Sequence, residues 1–158
     1  LAVMSARIAS KGKLLKPQLV KSIDGVATQP VEVRESINMS DEYWDYVHKA
    51  MRDVVHSPRG TAKGISNGLN YEIAGKTGTA QVISISAEDE YDSSKIDKSQ
   101  WDHALFVAFA PMDDPQIAVG LIVENGEHGS SAAAPIARLV IDEYMKSKSK
   151  QSQIIANN

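Results

Sequence analysis

Two apolar runs separated by a short turn constrain the fold of this chain more than any other feature. Residues 103–110 and 116–124 are almost entirely apolar, and residues 111–115 between them read Pro-Met-Asp-Asp-Pro. Proline and aspartate at such a junction are typical of a chain reversal. Apolar runs without polar alternation are typical of strands that are covered on both faces. We therefore predict two adjacent antiparallel strands inside a sheet with further layers on both sides.

A third strand is predicted just before these two. Residues 71–82 read Tyr-Glu-Ile-Ala-Gly-Lys-Thr-Gly-Thr-Ala-Gln-Val, and polar and apolar residues alternate from Ala80 to Ile85. This alternation indicates an extended segment with one buried face. The segment brings a cation, two hydroxyls and a glycine together in Lys76-Thr77-Gly78-Thr79, which we call the tetrad. We expect a three-stranded antiparallel unit in which the strand of the tetrad comes first.

Three helices are predicted around this unit. Residues 1–11 have Leu1, Met4 and Ile8 on one stripe, and Gly12 follows as a C-terminal stop. A second helix starts at the N-cap Ser40 and ends near His56, because Pro58 disfavours a longer helix. A third helix starts after residues 125–130.

The remaining segments are predicted to be short strands or solvated chain. Residues 18–24 and 29–36 have strand patterns and are joined by residues 25–28. Residues 86–100 are polar and acidic, so we expect a solvated, poorly ordered loop there and no metal site. We expect residues 147–158 to form a flexible tail.

Composition excludes several function classes. The chain has 158 residues, 42% of them hydrophobic, and a formal charge of −3, so nothing indicates a nucleic-acid partner. It has no cysteine, which excludes disulfides and thiolate metal sites. The four histidines, which are His48, His56, His103 and His128, lack the spacing of a zinc site. We therefore expect structural histidines, no metal and no cofactor.

The tetrad contains Lys-Thr-Gly, one of three signature elements of penicillin-binding proteins and serine β-lactamases. Formal matches to the other two elements occur at Ser10–Lys13, Ser147–Lys150 and Ser36–Asn38. A nucleophilic serine needs the start of a buried helix, with its lysine one turn further on. Ser10 instead precedes a helix-stopping glycine, Ser147 lies in a lysine-rich tail, and Ser36 precedes the second helix. We predict that none of these serines is catalytic.

Nucleotide binding is a different interpretation of the same residues, since Gly75-Lys76-Thr77 could end a phosphate-binding loop. That loop requires a glycine five residues before Gly75, where this chain has Asn70, and it requires a helix to follow. A strand pattern follows instead. The sequence therefore argues against nucleotide binding.

Five segments resemble the transpeptidase domain of class B penicillin-binding proteins, and within that class the elongation type, penicillin-binding protein 2. They are residues 9–20, 59–62, 74–81, 102–111 and 123–126. The likeness extends from about residue 1 to residue 145. It implies an α+β fold with an antiparallel sheet between helical layers, an αβα sandwich of which residues 1–146 form the C-terminal portion. The chain also starts without a helix cap before Leu1, so we expect it to begin inside an element of a longer sequence.

The resemblance implies an enzyme that cross-links peptidoglycan stem peptides through a serine acyl-enzyme and that binds β-lactams. It assigns Lys76 and Thr79 to catalysis and Thr77, Gly78 and Thr79 to substrate binding, with the Thr79 N–H as one oxyanion donor. A strand at a cleft edge can align an extended peptide through its unpaired backbone groups, and hydroxyl and ammonium groups can bind a carboxylate. The nucleophile is expected upstream of Leu1, so we expect the isolated chain to be inactive.

The resemblance also implies a periplasmic domain of a protein anchored in the inner membrane, with membrane proteins of the elongation machinery as partners. Two other functions stay open. The same fold could serve a D,D-carboxypeptidase or a β-lactamase, because the choice between water and an amine depends on residues upstream. The chain could also act as a non-catalytic interaction or folding module.

Overall fold

The computed structural model describes residues 1–28, 33–84 and 92–156. Three α-helices are present in these ranges, and they are α1 (Ala2–Ala9), α2 (Asp41–His56) and α3 (Ala134–Ala156). The strands are β1 (Lys13–Leu15), β2 (Ser22–Ile23), β3 (Val26–Ala27), β4 (Val33–Ser36), β5 (Ala74–Ala80), β6 (His103–Ala110) and β7 (Ile117–Val123). No helix in the described ranges has both the length and the apolar character needed to cross a bilayer.

The main sheet has the order β5-β6-β7 and is antiparallel throughout. Its register places Lys76 opposite Val107, Thr77 opposite Phe106 and Gly78 opposite Leu105. The predicted three-stranded unit is confirmed, with the strand of the tetrad first. Strand β6 has the predicted bounds, and β7 is one residue shorter at each end.

Strand β5 is shorter than the alternation of residues predicts. It ends at Ala80, which pairs with His103, the first residue of β6. Beyond Ala80 there is no further β6 residue to pair with, and the Val82 N–H donates to the Asp102 carboxylate at 3.2 Å. The prediction of a strand over residues 81–84 is wrong, and Ile85 lies outside the described residues.

Helical layers cover both faces of β6. Phe106 and Phe109 are both fully buried and point to opposite faces, since they are three residues apart on one strand. Phe106 packs in a cluster with residues of α3, including Ile141. Phe109 packs in a second cluster with Ala9 of α1 and Met51 of α2. The predicted α+β fold, with an antiparallel sheet between helical layers, is confirmed.

Strand β7 is less covered than its apolar sequence predicts. Ile122 is 55% exposed, and Gly120 is exposed as well. In the described part of the chain β7 pairs with β6 alone and forms one edge of the sheet. The prediction that β7 is covered on both faces holds in part. Val119 and Leu121 pack against the cluster of Phe106, and α1 lies so close to the other face that a β-carbon on Gly120 would be 2.7 Å from the Ala2 nitrogen, but Ile122 on that face is exposed.

Helix α1 uses only part of the predicted apolar stripe, since Ile8 packs against the cluster of Phe109 and small residues make the buried contacts. Leu1 and Met4 are about half exposed, whereas Ser5 and Ala9 are buried. The Ser5 hydroxyl donates to the Ala108 carbonyl at 2.8 Å, which satisfies the hydroxyl inside the core. The predicted stop at Gly12 is confirmed, since its φ is +91° and its N–H donates to the Arg7 carbonyl at 2.8 Å.

The short strands between α1 and α2 differ from the prediction. Strands β2 and β3 form a hairpin of two residues per strand, so β3 lies in the predicted connection 25–28. The hairpin turn is Asp24-Gly25, and both of its residues have a positive φ. Strand β4 pairs with β1, which the sequence did not predict, and residues 29–32 lie outside the described residues.

Helix α2 has the predicted bounds, and Ser40 precedes it without a side-chain cap hydrogen bond. A π-helical turn, Gly129–Ala133, leads into α3, which continues to Ala156. The helix thus includes residues 147–156, for which a flexible tail was predicted; the domain boundary at residue 146 stays a prediction. The described part of the acidic segment, residues 92–100, contains two short 3-10 turns.

Candidate active site

The tetrad lies on the part of β5 that leaves the core. Ala74 and Gly75 are buried, Thr77 and Gly78 are half-buried, and Lys76 and Thr79 are exposed. In the described ranges β6 is the sole strand that pairs with β5, so β5 is an edge strand of the main sheet. An edge strand presents unpaired backbone groups to which an extended peptide can bind. The tetrad thus combines a strand edge with an exposed cation and an exposed hydroxyl.

The ammonium group of Lys76 has a local partner. Its Nζ donates to the backbone carbonyl of Thr77 at 2.8 Å. Within the described parts of the chain, no carboxylate forms an ion pair with Lys76. The positive charge is therefore not compensated by the described residues, and it can interact with an anionic group that enters the site.

Thr77 forms a hydrogen bond with a residue 16 positions earlier in the chain. The Oγ1 atoms of Thr61 and Thr77 are 3.1 Å apart, and either hydroxyl can donate. The turn that carries Thr61 is held on the C-terminal end of α2, where the Ala62 N–H donates to the Val54 carbonyl at 2.9 Å. A β-carbon on Gly60 would lie 2.4 Å from the same carbonyl oxygen. The fold thus places Thr61 directly beside the tetrad.

Gly78 is in close contact with the turn that precedes α3. A β-carbon on Gly129 would lie 2.7 Å from the Gly78 carbonyl oxygen, which is closer than real β-carbons approach such atoms. A β-carbon on Gly78 itself would lie 3.2 Å from the β-carbon of Leu105. Gly129 therefore permits a close approach to the backbone of Gly78 that a larger residue would disturb.

The position of Gly129 depends on the loop that follows β7. Asn125 has a φ of +53°, and its side-chain amide donates to the Ser99 and Trp101 carbonyls, each at 2.9 Å. Its backbone N–H donates to Nδ1 of His103 at 3.0 Å. These bonds connect the loop to His103 at the start of β6 and to the residues just before it, so the segment that leads to Gly129 is fixed on its N-terminal side.

Comparison with known proteins identifies the family. The model of the family described as "Penicillin binding protein transpeptidase domain" matches residues 1–142. The chain belongs to the penicillin-binding protein transpeptidase family.

Relatives within the transpeptidase family cover nearly the whole chain. The chain is 40% identical over 164 residues to the peptidoglycan D,D-transpeptidase MrdA of Acinetobacter baumannii, a match that covers 100% of this chain and 24% of that protein. It is 37% identical over 148 residues to MrdA of Haemophilus influenzae, a match that covers 91% of this chain and 23% of that protein. The chain thus spans about a quarter of the length of these curated relatives.

Solved structures of the transpeptidase family share the fold. Pseudomonas aeruginosa PBP2, solved in complex with WCK 5153, matches with a TM-score of 0.73 and 42% identity, over 89% of this chain and 28% of that one. Helicobacter pylori PBP2, solved in complex with MreC, matches with a TM-score of 0.68 and 25% identity, over 91% of this chain and 24% of that one. The predicted resemblance to the elongation-type proteins is confirmed.

The serines that formally match other motifs of the transpeptidase family have local partners. The Ser10 hydroxyl donates to the Lys13 carbonyl at 3.2 Å, and the Ser147 hydroxyl donates to the Tyr144 carbonyl at 2.7 Å within α3. Ser36 ends β4 and is exposed. These placements support the prediction that none of the three is the nucleophile.

Three histidines of the chain bind backbone groups. His48 is buried and its Nε2 lies 2.8 Å from the Ile8 carbonyl oxygen, and Nδ1 of His103 accepts the Asn125 N–H described above. Nε2 of His56 accepts the Ile73 N–H at 3.1 Å, and burial lowers the pKa of His56. Among the described residues, no three acidic, histidine or cysteine side chains converge as metal ligands would.

Two residues beside the tetrad, Thr61 and Gly129, are not predicted from the sequence. Thr61 belongs to one of the five segments that carry the resemblance, and Gly129 lies among residues 125–130 before the third predicted helix, but neither position predicts a role in the site. Both contacts join residues far apart in the chain, 16 positions for Thr61 with Thr77 and 51 for Gly129 with Gly78 (129 − 78). The sequence signals for these contacts are the small residues Gly60 and Ala62 on either side of Thr61, and the glycine at position 129. The roles predicted for Lys76, Thr77, Gly78 and Thr79 stay predictions.

Proposed function

We propose that this chain is the tetrad-bearing part of a peptidoglycan D,D-transpeptidase and that the tetrad binds the stem peptide at the reacting bond. One observation carries the proposal. The exposed Lys76 and Thr79 lie on an edge strand whose first two residues, Ala74 and Gly75, are buried in the core. The family match and the names of the MrdA relatives support the reaction class.

The proposed reaction is acyl transfer in two steps. A serine oxygen attacks the carbonyl carbon of the penultimate D-Ala, the C–N bond to the terminal D-Ala breaks, and the leaving amine takes up a proton. An amine of a second stem peptide then attacks the ester, which releases the serine and forms the cross-link. A β-lactam reacts in the first step through its ring amide, and its leaving group stays attached to the acyl group.

Each residue of the tetrad has a proposed part in this reaction. The Thr79 N–H donates to the oxyanion that develops on the attacked carbonyl, and the hydroxyls of Thr77 and Thr79 donate to the terminal carboxylate of the substrate. Lys76 supplies positive charge to both anionic groups, and its charge is not compensated by a described carboxylate. Gly78 allows close backbone approach along the strand edge. Such preorganised donors stabilise the transition state because they need no reorganisation during the reaction.

In this proposal the nucleophile lies outside residues 1–158, since the chain spans about a quarter of its curated relatives. The isolated chain is then inactive. We further propose a periplasmic location on a protein anchored in the inner membrane, β-lactams as inhibitors, and membrane proteins of the elongation machinery as partners. The complex of Helicobacter pylori PBP2 with MreC supports the choice of partner class.

Labelling with a fluorescent penicillin tests the reaction class. The full-length protein should form one covalent adduct per molecule, and mass spectrometry of its peptides should locate that adduct outside residues 1–158. An adduct on Ser10, or on any other serine of this chain, would contradict the proposal. A stem pentapeptide offered with and without an acceptor amine then separates transpeptidation, which yields a dimer, from carboxypeptidation, which yields only the shortened peptide.

A further inference from the structure

We propose that Thr61 is a positioning residue of the carboxylate-binding site, and that it acts by orienting the hydroxyl of Thr77. This inference rests on the proposed function, in which Thr77 donates a hydrogen bond to the terminal carboxylate of the substrate. It adds a residue from outside the tetrad to that site. The supporting contact is the 3.1 Å distance between the two Oγ1 atoms.

Thr61 is held firmly enough to orient a neighbour. Its turn follows α2, and Ala62 beside it is 1% exposed and donates its N–H to the Val54 carbonyl at 2.9 Å. On the other side, Gly60 approaches the end of α2 so closely that a β-carbon there would lie 2.4 Å from the Val54 carbonyl oxygen. The Thr61 side chain is β-branched, so its χ1 angle has few accessible values. The backbone at Thr61 is thus fixed, and its exposed side chain can reach the Thr77 hydroxyl from a small set of χ1 values.

The number of protons on the two hydroxyls determines which hydroxyl donates and which accepts when a carboxylate is bound. Each hydroxyl has one proton to donate, and the pair shares one hydrogen bond. A carboxylate only accepts, so a substrate carboxylate on Thr77 uses the proton of Thr77. Thr77 must then accept from Thr61. The chain of donors therefore runs from Thr61 to Thr77 and on to the carboxylate, and each bond polarises the next.

Without the Thr61 hydroxyl, Thr77 loses the donor that orients its own hydroxyl toward the carboxylate. The Thr77 hydroxyl could then rotate to other acceptors, such as solvent, before the substrate arrives. A neutral hydrogen bond contributes modestly, so we expect a loss of roughly three- to tenfold in the acylation rate constant for a penicillin that carries a free carboxylate. A penicillin methyl ester lacks the anionic acceptor, so its rate constant should hardly change.

The experiment uses the full-length protein and measures acylation by penicillin and by its methyl ester. The variants are Thr61→Val, which keeps the shape, and Thr61→Ser, which keeps the hydroxyl. The ratio of the two rate constants in one preparation does not depend on how much of that preparation is folded. We expect Thr61→Val to lower the acid-to-ester ratio by roughly three- to tenfold and Thr61→Ser to stay within about twofold of the unsubstituted protein.

Two controls make the result decisive. Thr28→Val removes a hydroxyl that bonds the Val20 and Lys21 carbonyls in the β2–β3 hairpin, and it should leave the ratio unchanged. In a Thr77→Val background, Thr61→Val should have no further effect on the ratio, because the two residues act as one unit. The inference is overturned if Thr61→Val leaves the acid-to-ester ratio unchanged. It is also overturned if Thr61→Val lowers that ratio as much in the Thr77→Val background as in the unsubstituted protein. Failure of the unsubstituted protein to acylate at all would instead overturn the proposed function.

Discussion

Gly129 lies against the backbone of Gly78. A β-carbon on Gly129 would be 2.7 Å from the Gly78 carbonyl oxygen and 2.3 Å from the Leu105 carbonyl oxygen. The turn that leads into α3 therefore contacts the strand of the tetrad, and its neighbour β6, through main-chain atoms. Main-chain atoms of a paired strand cannot move aside as a flexible side chain can. The start of α3 consequently supports the position of the tetrad.

Replacement of Gly129 by alanine should disturb the tetrad and the fold together. The added methyl group must displace β5, β6 or the turn, and overpacking of this kind costs roughly 1–3 kcal/mol. We expect a Tm lower by several degrees and slower acylation by penicillin in the full-length protein. Gly64→Ala is the matched control, because a β-carbon there meets no heavy atom within 4 Å. Equal effects of the two substitutions would show that the contact with Gly78 is unimportant.

The hydrogen bond from the Ile73 N–H to His56 should depend on pH. It needs an unprotonated Nε2, and burial lowers the pKa of His56 despite the nearby Glu72 carboxylate. A histidine with a lowered folded-state pKa contributes stability fully above its unfolded pKa, which is about 6.5, and loses it as the pH falls further. We expect hydrogen exchange at the Ile73 amide, corrected for its intrinsic pH dependence, to accelerate below about pH 6.5.

His56→Gln should flatten this pH dependence, because glutamine offers an acceptor oxygen that does not titrate. His128→Gln serves as the control, since His128 is exposed and lies in the loop before α3. If the Ile73 amide keeps the same pH dependence in His56→Gln, the titration of another group is responsible.

Asp142 of α3 is held as a carboxylate by two hydrogen-bond donors. They are Tyr71, which precedes β5, and Arg138, one turn earlier in α3. The Tyr71 hydroxyl donates to one carboxylate oxygen, and Nε of Arg138 donates to the other at 2.6 Å. Burial opposes ionisation of Asp142, but these two hydrogen bonds outweigh it and lower the pKa of Asp142. We expect this contribution to stability to be complete above the usual aspartate pKa of about 3.9 and to be lost as the pH falls below it.

Tyr71→Phe should lower the free energy of unfolding by about 1–2 kcal/mol at neutral pH, because it removes a hydrogen bond to a charged group. Tyr46→Phe is a suitable control, since Tyr46 is 75% exposed on α2, and its effect should stay below about 0.5 kcal/mol. Denaturant unfolding followed by fluorescence measures both. Similar values for the two variants would contradict the structural role of Tyr71.

The sequence predicts the parts of this molecule that depend on local pattern. The apolar run 103–110 and the helical spacing that contains Trp44 and Met51 each impose one regular structure, and both elements have the predicted bounds. The tetrad can be recognised in the sequence for the same reason, since its functional groups lie on four consecutive residues. Local pattern does not reveal how far a neighbouring helix extends over a strand, so it does not predict the exposure of Ile122.

Contacts between distant residues could not be predicted. Ser5 is buried because its hydroxyl reaches the Ala108 carbonyl, 103 positions away, and a helix pattern ranks it below Met4 as a core residue. Thr61 and Gly129 reach the tetrad only after α2, the sheet and the turn before α3 have packed together. Long-range packing of small residues leaves little signal in a single sequence, because alanine, serine and glycine are common in every kind of segment.

The acylation rate of Lys76→Ala tests the central claim most directly. Lys76 is exposed, so its removal should shift stability by less than about 0.5 kcal/mol and leave the Tm nearly unchanged. If its charge stabilises the anionic groups of the reaction, penicillin acylation of the full-length protein should fall by at least about tenfold. Lys49→Ala, an exposed lysine of α2, is the control and should change neither quantity. Unchanged acylation together with a lowered Tm would contradict the account, since the tetrad would then be an ordinary structural strand.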